Sequence, residues 1–340
     1  MIKSELLAAL RGGLADQTVM TAAENIVTGG LERTAEDIEL ALLFAQAAWI
    51  ADQRNPIATR ARDAAQAVIA AVPTLADGYR WLGFAHLSRG EYREAFTALS
   101  AVKAVPGEAN FDNFRALAQN LMLGRTEAGF KWNDTDYVFP LSCHNAAAIE
   151  AGAFHSVGVL TETDELQALA RCAAGRPIEQ IAEIGVLIGN HTAFMLHTFH
   201  PDHLVLIDAD PANIPLIEKT VRMNTPANTA PIVETVTAFV GRGGADVSFA
   251  GEMVPHRRLC DLVTGPVDLI KIDVDGAEIE LLNAGGDPIE RHRPLTLIET
   301  TPSSDAPVVE WFTSRGFSCA AMFDHGSYRN RIMVAGDAAP

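Results

Sequence analysis

The clearest structural signal in this chain is the stretch I-A-E-I-G-V-L-I-G-N-H-T, from Ile181 to Thr192. It begins as an apolar strand and ends as the first turn of a helix, with Gly185 and Gly189 at the join. Because glycine lacks a Cβ atom, a turn built on it lets the backbone approach a ligand closely. Glu183 lies at the end of the strand, just before the turn. The stretch therefore predicts a strand, a ligand-binding turn and a helix.

A second apolar strand follows, from His203 to Ile207, and it ends in Asp208. Strand, glycine turn, helix, strand and acid is the order of a βαβ nucleotide-binding unit. An acid at this distance beyond the turn is placed to accept hydrogen bonds from two ribose hydroxyls. The pattern predicts an adenosine-containing cofactor, and the absence of G-x-G-x-x-G disfavours a dehydrogenase.

Strands and helices alternate from here to the C-terminal region. The predicted strands are 180–184, 203–208, 231–237, 267–273, 294–299, 317–323 and 330–335. The predicted helices are 165–174, 190–199, 211–223, 277–284 and 306–314. This alternation predicts an α/β fold with a mostly parallel sheet and helices on both faces. The last two strands, joined by 324–329, are expected to form an antiparallel hairpin at one edge.

Two further strings make the pattern more specific. D-L-I-K-I-D-V-D-G-A-E-I-E-L-L runs from Asp268 to Leu282, and R-H-R-P-L-T-L-I-E runs from Arg291 to Glu299. Together with the glycine turn and I-D-A-D-P at 207–211, they resemble the FkbM family of S-adenosylmethionine-dependent methyltransferases. The resemblance covers about residues 155–335. It implies the Rossmann-like class I methyltransferase sheet, S-adenosyl-L-methionine as cofactor, and methyl transfer as the reaction.

The same resemblance implies a set of cofactor-binding residues. They are Glu183, Gly185, Gly189, Asn190, His191, Thr192, Asp208, Ala209, Ala238 and Asp273. In the family's arrangement Glu183 lies near the methionine amino group, Asp208 holds the ribose and Ala238 meets the adenine. Asp273 faces the methyl-transfer centre. Two departures concern the methionine pocket, because Glu183 replaces an aspartate and Val186-Leu187 replaces Ala-Asn.

Methyl transfer from a sulfonium ion mainly requires the nucleophile, carbon and sulfur to be held in line. An alcohol acceptor also needs a general base within hydrogen-bond reach. The strand ends and the last hairpin supply the candidate catalytic residues Asp273, Glu299 and His325. Lys271 lies on the same strand face as Asp273 and is expected to pair with an acid. No spacing motif supports a metal site, and none is predicted.

Residues 34–124 have helical periodicity. A-V-P occurs at 71–73 and again at 104–106, and Leu82-Gly83, Gly90 and Ala95 lie between the copies. These features resemble the tetratricopeptide repeat (TPR). They predict an all-α TPR-like domain over 1–128, a linker or substrate-side cap with short strands over 129–160, and the methyltransferase domain over 161–340. Such repeats often bind peptides or proteins, and a structural cap or self-association is the alternative.

Composition narrows the range of partners. The net charge of −17 opposes nucleic acid or an anionic membrane as partner. No apolar run reaches the roughly 18 residues of a membrane span, and we expect no signal peptide. Four scattered cysteines fit a reducing cytosol, so a cytoplasmic location is expected.

Three functions remain open from the sequence. The first is O-methylation of a hydroxyl on a sugar, glycan or other secondary metabolite, with a small molecule or glycan as acceptor. The second is methylation of a peptide or protein that the TPR-like domain recruits. The third is a non-catalytic interaction protein with a degenerate methyltransferase domain, which the retained acids disfavour.

Overall fold

The structure, a computed structural model, describes residues 2–11, 16–31, 34–52, 59–101, 111–227 and 229–336. The chain forms two compact units. The first unit comprises Met1–Gly129 and Leu141–Val159, and the second comprises Phe130–Pro140 and Leu160–Pro340. The segment 129–160 is thus shared between the units, and the domain boundaries drawn from the sequence stay a prediction.

The first unit is helical up to residue 122 in the part that the structure describes. Its helices are α1 (Lys3–Arg11), α2 (Gln17–Gly29), α3 (Ala35–Asp52), α4 (Arg60–Ala71), α5 (Ala76–Ser88), α6 (Tyr92–Ala101) and α7 (Asp112–Met122). Helices α5 and α6 approach closely at Gly83, where an added Cβ would lie 2.5 Å from Leu99 Cγ. Gly90 joins them in a left-handed conformation with φ of +73°. The A-V-P copy at 104–106 lies outside the described residues, and the TPR assignment stays a prediction.

The next segment differs in part from the sequence-based expectation of short strands. It contains β1 (Glu127–Trp132), β2 (Thr135–Pro140) and a helix, α8 (Ala146–Ser156). The expectation is wrong for α8. Asn145 caps this helix, since its Oδ1 accepts a hydrogen bond from the Ala148 N–H at 2.8 Å. The cap and the alanine-rich sequence behind it both favour helix.

The second unit is built on a parallel sheet. Its helices are α9 (Thr163–Cys172), α10 (Asn190–Phe199), α11 (Ile214–Asn224), α12 (Leu259–Leu262), α13 (Glu278–Gly285), α14 (Asp287–His292) and α15 (Asp305–Thr313). Its strands are β3 (Gln180–Ile184), β4 (His203–Asp208), β5 (Ile232–Thr237), β6 (Phe239–Val240), β7 (Val247–Phe249), β8 (Glu252–Val254), β9 (His256–Arg257), β10 (Leu269–Ile272), β11 (Leu295–Thr300), β12 (Phe317–Asp324) and β13 (Arg329–Ala335). The short elements β6–β9, α12 and α14 were not predicted from the sequence.

Seven of the described strands form the main sheet, in the order β12-β13-β11-β10-β3-β4-β5. The pairs from β11 to β5 are parallel, and β13 is antiparallel to both β11 and β12. This confirms the predicted α/β fold with its C-terminal hairpin. Buried apolar residues cover both faces of the sheet, which is why the parallel strands are nearly continuous in Ile, Leu and Val.

The topology brings one set of strand ends together. The carboxyl ends of β3, β4, β10 and β11 lie along the same edge because these strands are parallel. Since β13 runs the other way, with Asn330 opposite Glu299, the hairpin tip at 325–328 reaches that edge too. Ligands of open α/β sheets bind outside this edge. Among the described residues, no helix combines the length and apolar character needed to cross a bilayer.

Candidate active site

The glycine turn after β3 is pressed against the strand end of β10. Gly185 has φ of +78°, and an added Cβ would lie only 1.7 Å from the Asp273 carbonyl oxygen. Gly189 has φ of +86°, and its added Cβ would lie 3.0 Å from Thr220 Cγ2. Only glycine combines this backbone conformation with this close approach. The turn therefore forms a tight backbone cradle at the carboxyl edge, as its sequence indicated.

Asp208, at the end of β4, holds the glycine turn in place through hydrogen bonds to its backbone. Its Oδ2 accepts hydrogen bonds from the backbone N–H groups of Val186 (3.1 Å) and Leu187 (2.7 Å). Its Oδ1 accepts from Asp210 N (2.8 Å) and Asn213 Nδ2 (2.9 Å). Burial raises the pKa of the Asp208 carboxyl. A carboxylate has about four acceptor sites, and four donors of the neighbouring loops already bond Asp208. The contact between Asp208 and the ribose stays a prediction.

The departure at Val186-Leu187 has a structural role in the turn. Leu187 is left-handed with φ of +58°, a conformation that is uncommon for a bulky residue. Its N–H donates to Asp208, as described above, and Val186 is buried in an apolar cluster with Leu206 and Ile217. The Asp208 carboxylate thus holds the substituted turn in shape.

Glu183 is fully buried at the end of β3. Its Oε2 accepts a hydrogen bond from Thr192 Oγ1 at 2.6 Å. Its Oε1 has no hydrogen-bond donor among the described residues and lies 4.0 Å from Lys271 Nζ. Burial raises the pKa of the Glu183 carboxyl. A buried acceptor without a hydrogen-bond donor is rare in proteins, and the ammonium group of Lys271 is the charged group that faces this oxygen.

The other predicted cofactor residues surround the turn. Asn190, His191 and Thr192 form the first turn of α10, at the positive end of its helix dipole. Their side chains face the domain itself, since His191 Nε2 lies 2.8 Å from Glu162 Oε2. Ala209 follows β4 directly. Ala238 is buried just after β5, and its N–H donates to the Asp208 carbonyl at 3.0 Å.

Lys271 on β10 pairs with an acid, as its register suggested. Its Nζ donates to the Gly185 carbonyl at 2.6 Å and to Asp273 Oδ2 at 3.0 Å. Burial works against the charged form, but the carboxylates of Asp273 and Glu183 raise the pKa of Lys271 overall. The buried ammonium thus ties the glycine turn to the end of β10.

Three carboxylates converge beside this ammonium. Asp273, Asp275 and Glu299 each place one oxygen so that the three lie within 4.8 Å of one another. Burial, followed by the negative charges of Asp273 and Glu162, raises the pKa of Glu299 to about 8. Two predicted catalytic residues, Asp273 and Glu299, are therefore neighbours. Carboxylates at this spacing can hold a proton or a hard cation such as Mg²⁺.

Glu162 was missed in the sequence and is a central polar residue of this edge. It is left-handed, with φ of +55°, just before α9. Besides its contact with His191, it accepts hydrogen bonds from Tyr328 Oη (3.2 Å) and Asn330 Nδ2 (2.9 Å). Burial opposes ionisation, but His191, the charge of Lys271 and the hydrogen bond from Asn330 lower the pKa of Glu162 to about 2. No motif in the sequence marks this residue.

His325, the third predicted catalytic residue, lies in the hairpin tip with a different acid. Its Nε2 is 2.5 Å from Oε1 of the buried Glu165 on α9. Its ring stacks on Tyr328, with centroids 4.5 Å apart. A histidine oriented by a buried carboxylate is a common arrangement for a catalytic base. Tyr328 donates to Glu162, and Glu162 contacts His191 in the first turn of α10. The His325–Glu165 pair is therefore linked to α10 by a chain of side-chain contacts.

The sequence comparison agrees with this geometry. Residues 166–319 match the family model of the methyltransferase FkbM domain. This part of the chain is an FkbM-family methyltransferase domain. The match spans the glycine turn, both strand-end acids and the K-I-D-V-D-G-A-E string, so the family resemblance stated from those residues is confirmed.

Several solved structures are similar to this chain at low identity. The FkbM methyltransferase from Methylobacillus flagellatus KT is 16% identical with a TM-score of 0.41, and the alignment covers 66% of this chain. It covers 58% of the Methylobacillus protein's own length. TrmK from M. capricolum, solved with S-adenosyl-homocysteine, is 12% identical over 51% of this chain and 68% of that one, with a TM-score of 0.34. M. jannaschii TYW2, solved with AdoMet, is 11% identical over 62% and 85%, with a TM-score of 0.36. No curated protein matches the sequence.

Proposed function

We propose that this protein is an S-adenosylmethionine-dependent methyltransferase that methylates a hydroxyl group of a sugar, glycan or other secondary metabolite. The observation that carries the proposal is the FkbM domain at 166–319, together with the cradle in which Gly185 touches the end of β10. Acids stand at the ends of four neighbouring strands, β11, β10, β3 and β4, which suits cofactor binding and proton transfer.

The residues at the turn fit the cofactor. Glu183 lies at the end of β3, where the family resemblance implies the methionine ammonium, and its Oε1 has no hydrogen-bond donor among the described residues. The glycine turn allows close approach, and the N-terminus of α10, where the helix dipole favours negative charge, suits a carboxylate. When bound, S-adenosylmethionine supplies a methyl group that is already activated by the positive sulfur. Asp208 acts on binding at least through the shape it gives the turn.

A hydroxyl acceptor must lose its proton as its oxygen attacks the methyl carbon. Glu299 and His325 are the two candidate bases. The pKa of Glu299 near 8 places its ionisation close to neutrality, which is where a general base works best. His325 is oriented by Glu165, and its second ring nitrogen, Nδ1, is the atom that would take the proton. Asp273, held by Lys271, contributes negative charge beside Glu299.

A peptide or protein acceptor is the second candidate. Its support is the helical first unit, in which α5 and α6 pack closely at Gly83. Repeats of this kind often bind peptide segments. Self-association through the helical first unit is the alternative role of this unit.

The proposal is tested first by calorimetry with S-adenosylmethionine and the full chain. Methyl-labelled cofactor is then incubated with panels of sugars, glycans, phenols and peptides, and labelled products are identified by mass spectrometry. Methyl ethers survive mild alkali, whereas methyl esters release volatile methanol, so alkali treatment separates hydroxyl from carboxyl acceptors. A label found only in peptides would favour the second candidate. Absence of cofactor binding would refute both and leave a non-catalytic protein.

A further inference from the structure

The hairpin that carries His325 is bonded by its side chains to the start of α9. His325 Nε2 lies 2.5 Å from Oε1 of Glu165, a buried residue in the first turn of that helix. Tyr328 Oη and Asn330 Nδ2 both donate to Glu162 Oε1, at 3.2 and 2.9 Å. Two acids at the start of α9, Glu162 and Glu165, therefore hold the hairpin tip.

The segment 161–162 is also bonded to the first turn of α10. The second carboxylate oxygen of Glu162, Oε2, lies 2.8 Å from His191 Nε2. The preceding residue adds two hydrogen bonds, since Asn190 Nδ2 donates to the Thr161 carbonyl at 3.2 Å and the Thr161 N–H donates to Asn190 Oδ1 at 3.4 Å. The first turn of α10 follows the glycine turn directly. The same short segment thus contacts both this turn and the hairpin tip.

The protonation states suit this double contact. Burial opposes ionisation of Glu162, but His191, the charge of Lys271 and the hydrogen bond from Asn330 keep its pKa at about 2. Burial and nearby acids raise the pKa of Tyr328, so its hydroxyl keeps the proton that it donates. An ionised carboxylate accepts at both of its oxygens. One side chain therefore serves the donor groups of the hairpin on one oxygen and faces α10 with the other.

The backbone of Glu162 is strained at this position. Its φ of +55° lies in the left-handed region, which is uncommon for a residue with a long side chain. Such a conformation persists only where surrounding contacts fix it, and it is frequent at functional sites. The contacts of the carboxylate with α10 and with the hairpin tip supply that restraint.

We propose that Glu162 is a positioning residue, whose carboxylate fixes the hairpin tip, and with it the candidate base His325, to the first turn of α10. The inference rests on the proposed function, since it assumes the cofactor at the glycine turn and a hydroxyl acceptor that needs a base. Because α10 begins at that turn, a bound cofactor steadies the first turn of α10 and, through Glu162, the hairpin tip. Cofactor binding and ordering of the tip therefore favour each other.

Hydrogen exchange of the full chain, measured by mass spectrometry without ligand, tests the anchoring first. We expect the amides of 324–330 to exchange at least about tenfold faster in Glu162→Gly than in the unaltered chain, because Tyr328 and Asn330 lose their acceptor. Glycine suits the left-handed backbone, so this variant eases the strain while it removes the carboxylate. Asp164→Asn removes an exposed carboxylate of the first turn of α9, and its exchange should match that of the unaltered chain.

Saturating S-adenosylhomocysteine then tests the coupling. We expect the ligand to slow exchange of 324–330 several-fold in the unaltered chain and in Asp164→Asn, and to leave it unchanged in Glu162→Gly. Glu162→Gln is the conservative variant, whose amide oxygen still accepts from Tyr328 and Asn330. It should restore much of the ligand-free protection that Glu162→Gly loses. A general loss of stability would not produce this partial rescue together with a selective loss of the ligand effect.

Equal ligand-free exchange of 324–330 in Glu162→Gly and in the unaltered chain would overturn the inference while leaving the proposed function intact. Protection by the ligand that persists undiminished in Glu162→Gly would do the same. If Glu162→Gly does not fold, Glu162→Gln and Tyr328→Phe, which keeps the ring and loses the hydroxyl donor, decide both comparisons. If calorimetry shows that the unaltered chain binds no S-adenosylhomocysteine, the proposed function fails and the coupling fails with it, whereas the ligand-free comparison still decides the anchoring.

Discussion

Replacing Gly185 with alanine tests the cradle most directly, and the chain offers a matched control. Gly185 and Gly175 both have left-handed backbones, with φ of +78° and +82°. A Cβ on Gly175 would meet no atom within 4 Å, whereas one on Gly185 would lie 1.7 Å from the Asp273 carbonyl oxygen. The two substitutions therefore share the backbone strain and differ in the steric clash.

The magnitudes follow from these contacts. A left-handed alanine costs about 1–2 kcal/mol, and this is the expected loss in Gly175→Ala. In Gly185→Ala the Asp273 oxygen must also retreat by about 1.7 Å to regain ordinary van der Waals contact. That movement disturbs the hydrogen bonds from Asp273 N to Ile184 O and from Lys271 to Gly185, each worth about 1–3 kcal/mol when buried. The expected total is on the order of 3–8 kcal/mol.

Urea unfolding followed by circular dichroism measures the loss of stability, and calorimetry measures cofactor affinity. Gly175→Ala should bind S-adenosylmethionine as the unaltered chain does. Gly185→Ala should either unfold partly at room temperature or bind at least about a hundredfold more weakly, the equivalent of roughly 2.7 kcal/mol. The reasoning is refuted if the two variants lose equal stability and Gly185→Ala keeps its affinity.

Further predictions concern other contacts of the same fold. Asp208→Ala removes the acceptor of the turn's N–H groups, so the Kd for S-adenosylmethionine measured by calorimetry should rise at least about tenfold; an unchanged Kd would contradict this role. The pKa of Glu299 is raised from 4.5 to about 8, so the folded state holds a proton that the unfolded chain releases. This stabilisation is complete below about pH 4.5 and is lost as pH rises towards about 8. In Glu299→Gln the free energy of unfolding, measured in urea, should therefore fall less steeply over this pH range. Equal pH dependence in the two proteins would contradict the raised pKa of Glu299. Gly83→Ala should destabilise the first unit by about 1–2 kcal/mol in urea unfolding, because its Cβ would lie 2.5 Å from Leu99 Cγ. Gly29→Ala has open space around its Cβ and should be neutral or slightly stabilising; similar losses in both variants would show that packing at Gly83 is unimportant.

Local patterns predicted much of the second unit. The predicted strand 180–184, helix 190–199 and strand 203–208 coincide with β3, α10 and β4. Apolar runs and a glycine turn act over a few residues, so neighbours in the chain are enough to specify them. The start of α11 was less accurate, since the helix begins at Ile214 and not at 211. The helix α8 was missed because its alanine-rich stretch was taken for part of a strand-forming segment.

The sequence by itself determined the strand–turn–helix unit, the strand-end acids Glu183, Asp208 and Asp273, and the family to which this domain belongs, because these signals are local. The tertiary structure decided what those acids contact: Asp208 accepts hydrogen bonds from the glycine turn, and Asp273 accepts one from Lys271. It alone revealed Glu162, whose partners Tyr328 and Asn330 lie 166 and 168 residues further along the chain. Such contacts depend on strand order and on the antiparallel return of β13, which bring distant segments to one edge, and no short stretch of sequence carries that information.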